Sequence, residues 1–271
     1  MIGGKHIDGV SLRSQRGIGL VEMMIAATLG LIVMASVFQI YINARQSQRM
    51  NNALFRLQEN GRVAISLMKT TARMAGYVAD GTASVDTVFP ASGAFAKGAA
   101  VVGVEDDDDA GNGIKDHTDW FMVRYQGNAQ DNLVFDCLGN PLPSGNPAYP
   151  NDVLPMTFGI SNDNELFCER GGGGVVSRVT IADGVADMQL LYGVDDNADK
   201  AADYYVSADS VPDFSRVVSI RISLLLQSDD RITLGPVGYS YNGVTISDPG
   251  DRRFRFVFNT TVALRNVTGE G

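Results

Sequence analysis

"RGIGLVEMMIAATLGLIVMASVF", residues 16–38, decides how the rest of the chain is read. From Ile18 to Phe38 the run is apolar except for two small hydroxyls and one carboxylate, Glu22. Roughly 20 apolar residues cross a bilayer core as a helix. A secretory signal peptide has an apolar core of only about 7–15 residues, followed by a small-residue cleavage site. This run is longer, and no A-x-A-like site follows it. It predicts a membrane anchor. Lys5, Arg13 and Arg16 precede it, so the positive-inside rule puts that end in the cytoplasm and the rest of the chain outside. Glu22 is the anomaly. An acidic side chain at the centre of a membrane helix costs on the order of 3 kcal/mol, and less near its end. Either Glu22 reaches the headgroups and water, or it pairs with a group inside the membrane.

The helical pattern continues past Phe38. Met50, Leu54, Leu57, Gly61, Ala64, Met68 and Ala72 recur every three or four residues and mark one face. Gln, Asn, Arg and Lys fill the remainder, so residues 39–76 form the amphipathic half of the same helix. No Pro interrupts it, and Gly76 is the expected stop. Ile18 to Ala75 as one helix would be roughly 87 Å long at 1.5 Å per residue. The stripe is expected to pack on a globular head, with a dimeric coiled coil as the alternative.

Residues 77–271 form that head. Apolar and β-branched runs alternate with turn signals. Strands are expected at 119–125, 132–136, 185–194 and 217–227. The clearest lies in "RRFRFVFNTTVALR", residues 252–265, where Phe254, Phe256, Phe258, Thr260, Val262 and Leu264 alternate with polar side chains. The fold class is α+β, a long N-terminal helix packed on an antiparallel β-rich head. Cys137 and Cys168 are the chain's two cysteines. Outside the cytoplasm they are expected to pair, and closing a loop of about 32 residues is worth roughly 3–4 kcal/mol. Two buried thiols are the alternative.

The motifs together resemble the type IV prepilins. "R-G-I-G-L-V-E" is similar to their signature, a basic leader ending in Gly, then an apolar residue, then Glu at the fifth mature position. The resemblance implies a leader at residues 1–17, cleavage between Gly17 and Ile18 by a prepilin peptidase, and N-methylation of Ile18. The first mature residue is usually Phe; here it is Ile. The resemblance also implies that Glu22 meets the N-terminal amine of a neighbouring subunit, while residues 18–38 form the transmembrane and filament-core segment. "RLQENGRVA", "RMAGY", "DGVADMQLLYGVD", "ADYYVSAD" and "DRRFRFVFNTTVALRN" resemble segments of PilW-family minor pilins. Their implied partners are other minor pilins and the major pilin. The implied location is the bacterial inner membrane, with the head periplasmic, and then the filament. A minor pseudopilin of a type II secretion system shares leader and plan, and stays open as an alternative.

The formal net charge is −9. An acidic head is a poor partner for nucleic acid, whose non-specific binding rests on Lys and Arg. Catalytic motifs are few. G-x-S-x-G and a P-loop are absent. His117 is expected to be an exposed loop residue, and no catalysis is assigned. Asp195, Asn197 and Asp199 alternate as in the first half of a calcium loop. Lys200 and Val206 stand where Gly and Glu belong, so calcium is a weak candidate and no cofactor is assigned. Asp107, Asp109 and Asn112 form a second weak set. A membrane-anchored extracytoplasmic calcium-binding module or enzyme is the rival from another class.

Overall fold

The computed structural model describes residues 19–79, 83–109, 111–127, 134–142, 150–171, 177–233 and 235–268. The chain divides into two compact units, Met1–Arg49 and Met50–Gly271. Gly17 and Ile18 lie outside the described residues.

One helix, α1, runs unbroken from Leu20 to Met74. Its length follows from composition, because Ala, Leu, Met, Gln and Arg dominate and Pro is absent. Gly76 ends it with φ +78°, a left-handed conformation that costs glycine little. The Gly76 N–H donates to the Arg124 carbonyl at 3.0 Å, outside the helix. Asn266 Nδ2 donates to the Arg73 carbonyl at 2.9 Å and satisfies part of the helix end.

In the second unit α1 buries Leu57, Gly61, Ala64, Met68, Thr71 and Ala72. Met50 and Leu54, at the start of the same stripe, are only half-buried. A Cβ at Gly61 would overlap the Phe258 ring, so glycine there lets the strand side chain approach the helix.

Among the described residues, eleven strands build the head. They are β1 (Val101–Asp107), β2 (Thr118–Gln126), β3 (Val153–Ile160), β4 (Glu165–Arg170), β5 (Ser177–Asp183), β6 (Val185–Val194), β7 (Tyr204–Val206), β8 (Val217–Gln227), β9 (Tyr239–Tyr241), β10 (Val244–Ile246) and β11 (Arg255–Ala263). The first sheet has the order β1-β2-β3-β4-β5, the second β11-β8-β6-β7, and β9 and β10 form a separate hairpin. Every pairing is antiparallel. The head is therefore two sheets plus a hairpin. On the second sheet Met188, Leu190, Tyr192, Ile220, Ile222, Leu224 and Leu226 are buried in one cluster. The same cluster holds the helix stripe and Phe121, Val123 and Phe158 of the first sheet.

Residues 119–125, 185–194 and 217–227 are strands as expected. Of the expected strand at 132–136, the described residues 134–136 form none. Residues 132 and 133 lie outside the described set, and Phe135 makes only an isolated bridge to Pro141. There Asp136 closes a tight turn, its Oδ1 accepting the Leu138 and Asn140 amides at 2.9 and 2.8 Å. The alternation in β11 also fades at one end. Leu264 is fully buried, whereas Phe256 is 38% exposed.

Cys137, beside that turn, is disulfide-bonded to Cys168 of β4, with Cα atoms 6.3 Å apart. Arg170 Nη1 donates to the buried Asp136 carboxylate at 2.8 Å and ties down the same loop.

Met68 is fully buried. Met68→Ala should lower head stability by about 2–5 kcal/mol in denaturant titration. Arg62→Ala, at an exposed ion pair with Glu59, should change it by less than about 1 kcal/mol. Replacing both cysteines by alanine should cost about 3–4 kcal/mol.

Candidate functional site

Apolar side chains cover α1 on every side near its start. Leu20, Val21, Met23, Met24, Leu31, Ile32, Val33, Met34 and Phe38 are all more than 60% exposed. A helix apolar all round belongs in a membrane or a large protein core, and α1 is long and apolar enough to cross a membrane. Two of its polar side chains are satisfied within the helix. Thr28 Oγ1 donates to the Met24 and Ile25 carbonyls at 3.0 and 2.9 Å, and Ser36 Oγ to the Ile32 carbonyl at 2.9 Å. Glu22 has no such recourse. It sits in the first turn of α1, where the helix dipole favours a negative charge. Among the described residues no cation pairs with it. A carboxylate in that position can accept a cation.

The weak metal candidates are hydrogen-bonded within their own loops. Asp195 accepts the Ala198 and Lys200 amides at 2.7 and 2.8 Å. Asn197 Nδ2 donates to Asp199 Oδ2 and to Asp203 Oδ1 at 3.2 and 3.0 Å. These bonds close the 195–203 loop on itself. Asn112 Nδ2 donates to Asp107, and the Gly111 amide to Asp109, so the second acidic loop is also internally bonded. His117 is exposed as expected, and its Nδ1 lies 3.0 Å from Asp106 and 3.3 Å from Asp108. The hydrogen bond to Asp106, then the charges of Asp108 and Asp106, raise its pKa.

Two buried groups in β2 escaped the sequence reading. Arg124 is wrapped by residues 90–99. Its Nε, Nη1 and Nη2 donate to the carbonyls of Ala99, Pro90 and Ala96 at 2.7, 2.6 and 2.9 Å. Phe89 and Phe95 present their rings at 5.2 and 4.5 Å, and burial lowers the guanidinium pKa to about 10. Asp119 joins the two sheets, accepting the Asp106 amide of β1 at 3.0 Å and the Leu190 amide of β6 at 2.7 Å. A signal for Asp119 is in the pattern. It falls on the same face as Phe121, Val123 and Tyr125, which are all buried.

Asp187 of β6 lies nearby, with Lys115 beside it. Lys115 Nζ donates to Asn164 Oδ1 and the Ala186 carbonyl at 2.7 and 2.6 Å, and burial lowers its pKa. Burial raises both Asp119 and Asp187 to about 6.

Two stretches of the chain match protein-family models. Residues 12–38 match the prokaryotic N-terminal methylation motif. Residues 157–266, from β3 through β11, match the model of the Type IV Pilus-assembly protein W family. No curated protein matched the chain. Among solved structures, a type IV-like pilin from Thermus thermophilus is similar at 13% identity and TM-score 0.44, over 78% of this chain and 98% of its own.

The raised carboxyls set a pH dependence with a definite sign. A carboxyl whose folded pKa is raised stabilises fully below its ordinary value near 4, and that stability is lost as pH rises through the folded value. Asp251 has the opposite sign. Its hydrogen bond to Arg255 lowers it to about 2, so its contribution is lost only as pH falls below about 4. The full chain in detergent should therefore melt at a higher temperature at pH 5 than at pH 7, and Asp187→Asn should reduce the difference.

Proposed function

We propose that the protein is a minor pilin that acts by assembly rather than catalysis. The observation that carries this reading is α1 itself. One helix begins with exposed apolar side chains around a lone carboxylate and ends with a stripe buried in a head whose residues 157–266 match the PilW model. In this reading a prepilin peptidase cuts between Gly17 and Ile18, and Ile18 is methylated. The segment from Ile18 to Phe38 anchors the protein in the inner membrane with the head in the periplasm. It then leaves the lipid to pack among the helices of other minor pilins and the major pilin. Glu22 takes the N-terminal amine of a neighbour as its cation.

The driving force is burial. Exposed Leu, Ile, Val, Met and Phe side chains exchange lipid for neighbouring helices, where packing rather than water exclusion favours contact. Pairing inside a low-dielectric core makes the Glu22 interaction strong and position-specific. The proposed role is priming pilus assembly or forming its tip complex, in support of adhesion, motility or DNA uptake.

Glu22→Ala should leave the leader cleaved and the head folded, yet lower the amount of the protein recovered in sheared filaments at least about tenfold, the loss expected for about 1.4 kcal/mol of pairing. Immunoblotting of filament and membrane fractions measures this. Equal recovery of variant and wild type would assign Glu22 to the headgroup region instead.

A further inference from the structure

Two proton-binding groups of the head converge on Asp106. This residue lies where β1 slips register against β2, between Val104 and Asp107, and has φ +49°. On its outer side its carboxylate meets His117 Nδ1 at 3.0 Å. On its inner side its N–H donates to Asp119 Oδ1, while Asp119 Oδ2 accepts the Leu190 N–H. β7 pairs only with Tyr192–Val194, so β6 is open at Leu190 and Asp119 of the first sheet covers it. A chain of contacts thus runs from a surface histidine, through Asp106 and Asp119, to the second sheet.

We propose that this chain is a proton-operated joint, in which acidification passes the hold on Asp106 from the buried Asp119 carboxylate to the surface His117 ring. An ionised carboxylate accepts at both oxygens. Once protonated, one of those oxygens carries a donor. That hydroxyl oxygen is a far weaker acceptor than a carboxylate oxygen, so Asp119 then holds only one of its two amides firmly and the other is readily released. The Leu190 bond is buried and the Asp106 bond only part-buried. Releasing Asp106 leaves an amide that water can reach, whereas releasing Leu190 leaves an unpaired buried donor at a cost of about 1–3 kcal/mol. Asp106 is therefore the one released. Protonated His117 meanwhile attracts Asp106 and Asp108 from outside.

The surroundings favour proton uptake on the buried side. Glu105 of β1 and Asp187 of β6 present negative charge to Asp119, and Asp106 of β1 presents its charge to Asp187. Tyr192 of β6 and Tyr241 of β9 also face it, as neutral phenols. The Tyr192 hydroxyl is fully buried and has no hydrogen-bond partner among the described residues. Arg221 of β8 and Glu105 line the same small cavity as Asp119, and Lys115 faces Asp187. Burial places the Asp119 transition near pH 6.

The test is ¹⁵N spectroscopy of the full chain in detergent micelles between pH 5 and 7.5. The Asp106 amide should shift with a midpoint near 6. Below it, Asp106 protection from exchange should fall about tenfold, as expected when a hydrogen bond to a charged acceptor is lost, while Leu190 stays protected. Asp119→Asn should abolish the Asp106 transition. Should that variant not fold, Asp187→Asn, which removes one like charge but leaves the clasp, should move the midpoint downward. An Asp106 amide that does not respond to pH would overturn the proposal. So would a transition that survives Asp119→Asn, a midpoint unmoved by Asp187→Asn, or one that disappears in His117→Gln alone.

Discussion

A carboxylate in an apolar helix needs a cation or water beside it, and α1 supplies Glu22 with no cation from the described residues. The hydroxyls of Thr28 and Ser36 show the contrast, since both are satisfied by carbonyls one turn back. Glu22 is the polar side chain of that run whose needs the helix leaves open. Its position in the first turn adds the favourable field of the helix N-terminus. In the proposed filament, a cation delivered by a neighbour completes the site, so the same group that burdens the anchor in lipid specifies where the next subunit sits.

The other half of α1 obeys a different solvent. From Leu57 to Ala72 its buried side chains are mostly small, Gly61, Ala64, Thr71 and Ala72, with Met68 filling the space between. Small residues let the helix and the β11 side chains approach, and the Phe258 ring occupies the space Gly61 leaves. The two sheets complete the enclosure, with Phe121 and Phe158 stacked at 5.1 Å in the first and Tyr192 and Phe214 edge to face at 5.3 Å beside the second. The disulfide and the Asp136–Arg170 pair fasten a long connection to β4.

Much of this was legible in the sequence because it depends on periodicity. The helix stripe, its glycine stop, and β2, β6 and β8 follow from spacing alone. β1 was hidden in a Gly- and Asp-rich stretch, where Val101 and Val102 are followed by a run of acidic residues that breaks the alternation. β3 to β5 follow from no single alternating run; β3 carries Pro155 and Gly159, and β5 is largely exposed. The head's buried charges were the least legible. Asp119 and Arg124 lie inside an apolar strand, and their roles depend on amides and carbonyls brought from β1, β6 and the 90–99 loop. An inward-facing carboxylate in register with three buried side chains is a readable anomaly, but its partners come only with the fold.

The most direct measurement of the central claim is the intact mass of the protein purified from membranes, with its N-terminal peptide sequenced by mass spectrometry. The account predicts a chain that begins at Ile18 with a methylated amine, which places Glu22 five residues from a new N-terminus. A chain that still carries residues 1–17 would contradict it, because neighbours would then have no amine at Ile18 to offer Glu22.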